Sequence, residues 1–181
     1  DSAERIVWLT QLQKRCKDMG TYLIFDEIIT GVRYTDHSVT RAHGLSPDLI
    51  CVGKAIANGM PLAAVGGPHH AMNNADYFVS STYAGEVLSL AACRATVETL
   101  LSSSAYNVNE MFIRGQNFRQ LFNEITPQVQ IAGYGTRGAF TGCPVAQALL
   151  FQESCRAGIL FGKSWFYNFE LMGYDDHTLK A

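Results

Sequence analysis

At 181 residues, 48% hydrophobic and 17% charged, the chain is apolar enough for a globular core and too apolar for a disordered segment. Its 14 basic and 16 acidic residues leave a net charge of −2 with no basic block, which argues against a nucleic-acid or membrane-surface partner. No apolar run reaches the length that crosses a bilayer, and the opening "DSAERIVWLTQ" lacks the basic-then-apolar layout of a signal peptide.

In chain order, Ser2 can cap a helix running to about Met19, with Trp8, Leu9, Leu12, Cys16 and Met19 on one face and Gly20 as its stop. "TYLIF" (21–25) predicts a strand buried on both faces. That strand ends on two adjacent acids, Asp26 and Glu27. Burying an unpaired carboxylate is unfavourable, so at least one of them calls for a positive partner. A polar stretch follows, from about Tyr34 to Ser46. "PDLICVGKA" (47–55) predicts a second strand ending at Gly53-Lys54, and "PLAAVGG" (61–67) a third. Residues 69–76 read as a short helix, and "YFVSSTYAG" (77–85) as a strand and then a loop. From Glu86 to Leu101 the pattern is helical, with Leu88, Ala91, Ala92, Ala95 and Leu100 available for a core.

"SSS" at 102–104 predicts a domain boundary, giving one domain over 1–101 and a second over 102–181. Beyond it come an amphipathic helix over Asn107–Ile125, a strand near Val129–Tyr134, a glycine-rich turn, a strand near Ala139 and a helix from about Pro144 to Ala157. The segment from Trp165 onward has no readable periodicity. Helices and strands alternate throughout, so the predicted class is α/β.

The five cysteines (Cys16, Cys51, Cys93, Cys143, Cys155) include no CxxC pair and read as reduced core thiols of a cytoplasmic protein. His69 and His70 have no nearby cysteine and read as surface residues, so no metal site is expected.

Lys54 alone reads as a surface lysine at a strand end. "GKAIANG" is no phosphate loop, because the leading glycine and the Ser or Thr after the lysine are both missing. No G-x-G-x-x-G opens a helix after a strand either, which disfavours a nucleotide-binding domain. The combination of acid and lysine says more. An acid ending one strand and a lysine ending the next can face one crevice, and open α/β sheets bind ligands at the carboxyl ends of their strands. Pyridoxal phosphate needs that pair: an amine for its aldehyde, and a carboxylate that keeps its ring nitrogen protonated.

Three stretches, "LIFDEIITGVR", "PDLICVGKAIANGMPLAAVGG" and "STYAGEVLSLAA", together resemble the class III, fold-type I pyridoxal-phosphate aminotransferases, nearest to the glutamate-1-semialdehyde 2,1-aminomutase-like subgroup. They occur in the family's order, with 28 residues from Asp26 to Lys54 and 28 from Lys54 to Thr82. The match covers most of 1–101 well and 102–181 loosely. The resemblance implies the C-terminal half of a large domain, a mixed sheet flanked by helices, followed by most of a small α+β domain. It implies pyridoxal 5'-phosphate as cofactor, a small amino or oxo compound as substrate, and a homodimer. Asp26 would pair with the ring nitrogen, Ile28 would pack on one ring face, and Lys54 would be the Schiff-base lysine and proton shuttle. Thr82 would bind the cofactor phosphate of the neighbouring subunit. Gly53, Gly59 and Pro61 would shape the lysine loop. Glu27 and Arg33 read as structural, and Tyr83 either lines the site or packs.

The chain also departs from the family pattern. Glu86-Val87 stands where the family often has Asn-Pro, which favours general aminotransferase chemistry over true aminomutase activity. Ala57 and Asn58 stand where glycines are common, and His177-Thr178 resembles a late family motif. Family chains run to roughly twice this length, so the chain is expected to be a fragment that by itself holds the cofactor poorly or not at all. The rival expectation is a non-catalytic fragment that associates with a full-length relative.

Overall fold

A paired glycine stop ends the first helix. α1 (Ala3–Asp18) carries Glu4 in its first turn and Arg15 and Lys17 in its last, in the sense the helix dipole favours. Gly20 takes φ 63°; the Thr21 N–H donates to the Cys16 carbonyl at 2.9 Å and the Gly20 N–H to the Lys17 carbonyl at 3.2 Å. Together these two bonds satisfy carbonyls that the helix end would leave open. The structure is a computed structural model that describes residues 3–73, 78, 80–102, 106–162 and 164–165. It forms two compact units, Asp1–Val108 and Asn109–Ala181.

In the first unit, β1 (Ile24–Asp26), β2 (Leu49–Gly53) and β3 (Ala63–Gly66) make a sheet in the order β1-β2-β3. β1 and β2 are parallel, pairing Asp26 with Cys51, and β2 and β3 are antiparallel, pairing Gly53 with Ala63. Asp48 sets the start of the parallel pair: its Oδ2 accepts from Leu23 N at 2.8 Å, and its N–H donates to the Leu23 carbonyl at 2.9 Å. The sheet is therefore mixed, and helices accompany it, as the α/β class requires.

One expectation needs correction. β1 is shorter than 21–25 and is not buried on both faces, since Ile24 is 55% exposed. The physical reason is that an apolar run shows which cover a strand can accept, whereas burial of a face needs another layer packed against it. The stretch read as polar contains a short helix, α2 (Val39–Ala42), capped by Ser38, whose Oγ accepts from Arg41 N at 3.0 Å. A single 3-10 turn, Lys54–Ala57, follows β2. The helix expected over 69–76 is α3 (His69–Met72), with His69 and His70 exposed. Phe78, Ser80 and Ser81 form no strand, and the rest of the expected 77–81 strand lies outside the described residues. α4 (Val87–Ser102) closes the unit and packs against the 54–57 turn.

In the second unit, α5 (Val108–Ile125) precedes an antiparallel sheet of β4 (Val129–Tyr134), β5 (Arg137–Gly142) and β6 (Ser164–Trp165), with α6 (Pro144–Arg156) between β5 and β6. Gly135 at the hairpin tip lets α5 approach: a Cβ there would lie 2.1 Å from the Phe112 carbonyl oxygen. Phe140 centres the core, edge-on to Phe122, Phe151 and Phe161 at 5.7, 5.3 and 5.3 Å between ring centroids. Val129 and Ile131, two residues apart on one face of β4, are buried, and Ile131 is the register partner of Phe140.

The cysteines differ from the expected core thiols: Cys143 and Cys155 are exposed and the other three only half-buried. No described helix is long and apolar enough to cross a membrane. His177 and Thr178 lie outside the described residues.

Candidate active site

The parallel pairing of β1 and β2 fixes where the acid and the lysine lie. Both strands end at one edge of the sheet, Asp26 as the last residue of β1 and Lys54 as the first beyond β2. Asp26 is level with Cys51, so Lys54 is three residues further along. At the rise of a strand that is an offset of about 10 Å along strands about 4.8 Å apart, a gap that two side chains can bracket with a small ring between them.

Asp26 is oriented locally. Its Oδ1 accepts from the Ile28 N–H at 2.9 Å, while Oδ2 has no partner among the described residues. The same turn sends the Ile28 side chain toward Gly53, where its Cγ2 lies 3.5 Å from the position a Cβ would take. Ile28 thus abuts the residue that precedes Lys54. Lys54 itself is exposed, and its amine makes no ion pair or hydrogen bond among the described residues. It also has φ 46°, a left-handed conformation that is unfavourable for a residue with a Cβ.

Lys54 shares its positive φ with four other residues of the loops that follow β1 and β2. Val32, Asp36, His37, Lys54 and Asn58 are the non-glycine residues with positive φ among those described. All five leave the carboxyl ends of β1 or β2. Such conformations persist only where the surroundings enforce them, and they gather at functional sites.

Glu27 answers the question of the second acid. It is 2% exposed, and its carboxylate is met by neutral donors rather than a cation. Oε1 accepts from Thr40 N at 2.7 Å and from Thr40 Oγ1; Oε2 accepts from Val39 N at 3.1 Å and from Thr30 Oγ1. Glu27 is thus the acid that needs no cation, since this cage satisfies both oxygens, and the structural reading of Glu27 fits it. Arg33 serves the same loop, donating from its guanidinium to the Ile29 carbonyl at 3.1 Å.

Thr82 is not brought into that cluster. It stands in the 82–85 turn ahead of α4, exposed, with no hydrogen bond to Asp26 or Lys54 among the described residues. Tyr83 beside it is 68% exposed, so it is not packed within this chain. The departure at Glu86 has a local explanation. Its carboxylate caps α4, accepting from Leu88 N and Ser89 N at 2.7 Å each and from Ser89 Oγ at 2.6 Å. The Ser89 hydroxyl, then the Leu88 and Ser89 amides, hold the Glu86 carboxyl below its ordinary titration range, against a smaller opposing effect of desolvation. Glu86 therefore does at the start of α4 what an asparagine cap would do.

Sequence reasoning missed Thr40 and Ser89. Ser89 was signalled by the E-V-L-S spacing, the reverse of a capping box, whereas nothing in the sequence joins Thr40 to Glu27.

Comparison with known proteins identifies a family and a fold. The family model for aminotransferase class-III matches residues 2–164. A glutamate-1-semialdehyde 2,1-aminomutase from Syntrophobacter fumaroxidans is 30% identical over 201 aligned positions, covering 96% of this chain and 46% of the relative. A protein of the same description from Thermomicrobium roseum is 36% identical over 103 positions, 55% of this chain and 24% of the relative. Among solved structures, a transaminase with PLP bound superposes with a TM-score of 0.77 at 22% identity, over 96% of this chain and 44% of that one. A β-phenylalanine aminotransferase from Variovorax paradoxus gives 0.80 at 21% identity, over 95% and 44%. The chain thus spans less than half the length of these relatives.

Proposed function

Since the chain belongs to the class-III aminotransferase family, we propose that it supplies the lysine half of a pyridoxal 5'-phosphate site that transfers an amino group, within a longer parent protein. One observation carries the reading. Asp26 and Lys54 share a sheet edge, Ile28 abuts Gly53 between them, and the Asp26 Oδ2 and the Lys54 amine are both unengaged among the described residues.

The donor set fits the cofactor. Bound pyridoxal phosphate supplies an aldehyde and a protonated ring able to accept electrons from a deprotonated carbon. Asp26 Oδ2 would accept the ring N–H, and a carboxylate at that point keeps the proton on nitrogen. Lys54 would meet the aldehyde through Nζ and, when released, move a proton to and from the reacting carbon. Ile28 would cover one ring face and exclude water. Thr82, whose hydroxyl has no partner among the described residues, would reach the cofactor phosphate of a second subunit.

An aminomutase and an aminotransferase share all of these roles. They separate on one measurement in the parent protein: turnover of an amino compound with no oxo acceptor present demands the intramolecular route.

Association with a second subunit belongs to the same proposal and is supported by apolar exposure, with Leu88 on α4 67% exposed. That exposure equally suits a non-catalytic chain bound to a full-length relative. The test of the site is chemical. The 181-residue chain is incubated with pyridoxal phosphate, reduced with borohydride and mapped by peptide mass. Reduction accumulates product even from weak binding. Modification of Lys54 well above Lys14 and Lys17, lost in Lys54→Ala, is the expected result. Equal modification of all three overturns the catalytic reading and leaves the binding one.

A further inference from the structure

We infer that Glu27 is a positioning residue for the Asp26–Lys54 edge: its buried carboxylate fastens the chain that leaves β1 to the first turn of α2 and so holds Asp26 and Ile28 in the geometry the site needs. The inference rests on the function proposed above and deepens it.

Glu27 is bound through every polar atom it has. Its N–H donates to the Cys51 carbonyl at 2.8 Å, extending the β1–β2 ladder one residue past Asp26. Its carbonyl accepts from Gly31 N at 2.7 Å. Its carboxylate gathers Thr30, Val39 and Thr40, residues up to 13 positions away. The peptide planes on either side of Glu27 are therefore fixed. One of them carries the Asp26 carbonyl, and the other carries the Ile28 N–H that orients Asp26 Oδ1. Between the two ends of this clasp lie three strained residues, Val32, Asp36 and His37. A loop holding such conformations opens unless something enforces its closure, and the Glu27 carboxylate is what joins its ends.

The chemistry requires a carboxylate. Each oxygen faces one backbone N–H, Thr40 on Oε1 and Val39 on Oε2. A glutamine must turn its amide NH2 toward one of them, and a backbone N–H, unlike a hydroxyl, cannot reverse its role.

The test uses the same borohydride trapping on the full chain with Glu27→Gln, with the milder Thr40→Val, which removes only one hydroxyl donor, and with Asn123→Ala as a control in the second unit. The reading is the ratio of Lys54 to Lys14 and Lys17 modification, alongside amide exchange at Val39 and Thr40. Unfolding of the first unit would equalise the lysines as well, and the milder Thr40→Val, which keeps both backbone donors, separates displacement of the edge from loss of the fold. The expected result is a ratio lowered roughly tenfold in Glu27→Gln, lowered less in Thr40→Val, and kept in Asn123→Ala, with faster exchange at both amides in the first two. A ratio unchanged in Glu27→Gln and Thr40→Val while the unaltered chain is selective overturns the inference alone, and so does an equal loss in the control. An unaltered chain without selectivity overturns the proposed function and the inference with it.

Discussion

The side chain of Ile28 faces Gly53: Ile28 Cγ2 stands 3.5 Å from where a Cβ on residue 53 would be, and Ala63 Cβ stands 3.6 Å from the same point. Gly53 is buried and extended, with φ −174°. A methyl group there makes only ordinary contacts, so Gly53→Ala is expected to fold with a change of less than about 1 kcal/mol. Gly53→Val overfills the space and is expected to lose about 1–3 kcal/mol. Combining Gly53→Val with Ile28→Ala should recover part of that loss. Denaturant unfolding of the natural chain, Gly53→Val, Ile28→Ala and the double variant gives the coupling, and strictly additive effects would show that the two residues do not touch.

Lys54 carries the other half of this edge, and its φ of 46° makes a separate prediction. Alanine keeps the steric conflict between Cβ and backbone and glycine removes it. Lys54→Gly is therefore expected to be more stable than Lys54→Ala by about 1 kcal/mol, despite the greater freedom of glycine in the unfolded chain. Comparing two variants that both lack the amine isolates the backbone from the charge. Equal midpoints in urea would mean that the turn relaxes and that no strain is held at the lysine.

Glu86 gives a pH dependence with a definite sign. Its titration is lowered in the folded chain, from an ordinary value of 4.5, by the Ser89 hydroxyl and then by the Leu88 and Ser89 amides. A depressed folded value means that the carboxylate's contribution is complete above the ordinary value. It disappears as pH falls through the folded one. The stability gap between the natural chain and Glu86→Ala should thus be constant from neutrality down to near 4.5 and narrow below it. Thermal melts in matched buffers across that interval measure the gap. A gap that widens toward acid would reverse the assignment of Glu86 as an anionic cap.

What the sequence made legible follows from the range of each signal. β4 was readable to the residue because a strand bounded by Gln128 and a glycine turn pairs with its own hairpin partner. α5 and α6 were readable because their apolar periodicity and the Pro144 start are local. Motif order singled out Asp26 and Lys54, and the parallel pairing of β1 with β2 lays their strand ends side by side. The Glu27 cage was not readable. Its partner Thr40 lies 13 residues away across a loop with no period, and no local rule distinguishes that threonine from its neighbours. The exposure of β1 was misread for a related reason: an apolar pattern is a property of the strand, whereas burial belongs to whatever lies against it.

Asn123 supports the last prediction. β4 lies at an edge of its sheet, so on its outer side Ile131 would present an open N–H and C=O. The Asn123 amide from α5 closes both: its Oδ1 accepts from Ile131 N at 2.7 Å and its Nδ2 donates to the Ile131 carbonyl at 3.1 Å. Ile131 is 1% exposed, so water cannot take over either bond. Asn123→Ala is expected to destabilise the second unit by about 2–4 kcal/mol, since two buried backbone groups lose their partners together. Asn123→Asp should not restore it, because a carboxylate has no donor for the carbonyl and would set a negative charge against it. Asn123→Gln keeps the chemistry on a longer arm and should fall between. Hydrogen exchange at Ile131 reports the event directly, with protection lost in the alanine and aspartate variants. Should Ile131 stay protected in Asn123→Ala, something other than this amide covers the edge of β4, and α5 is tied to the sheet through its apolar face alone.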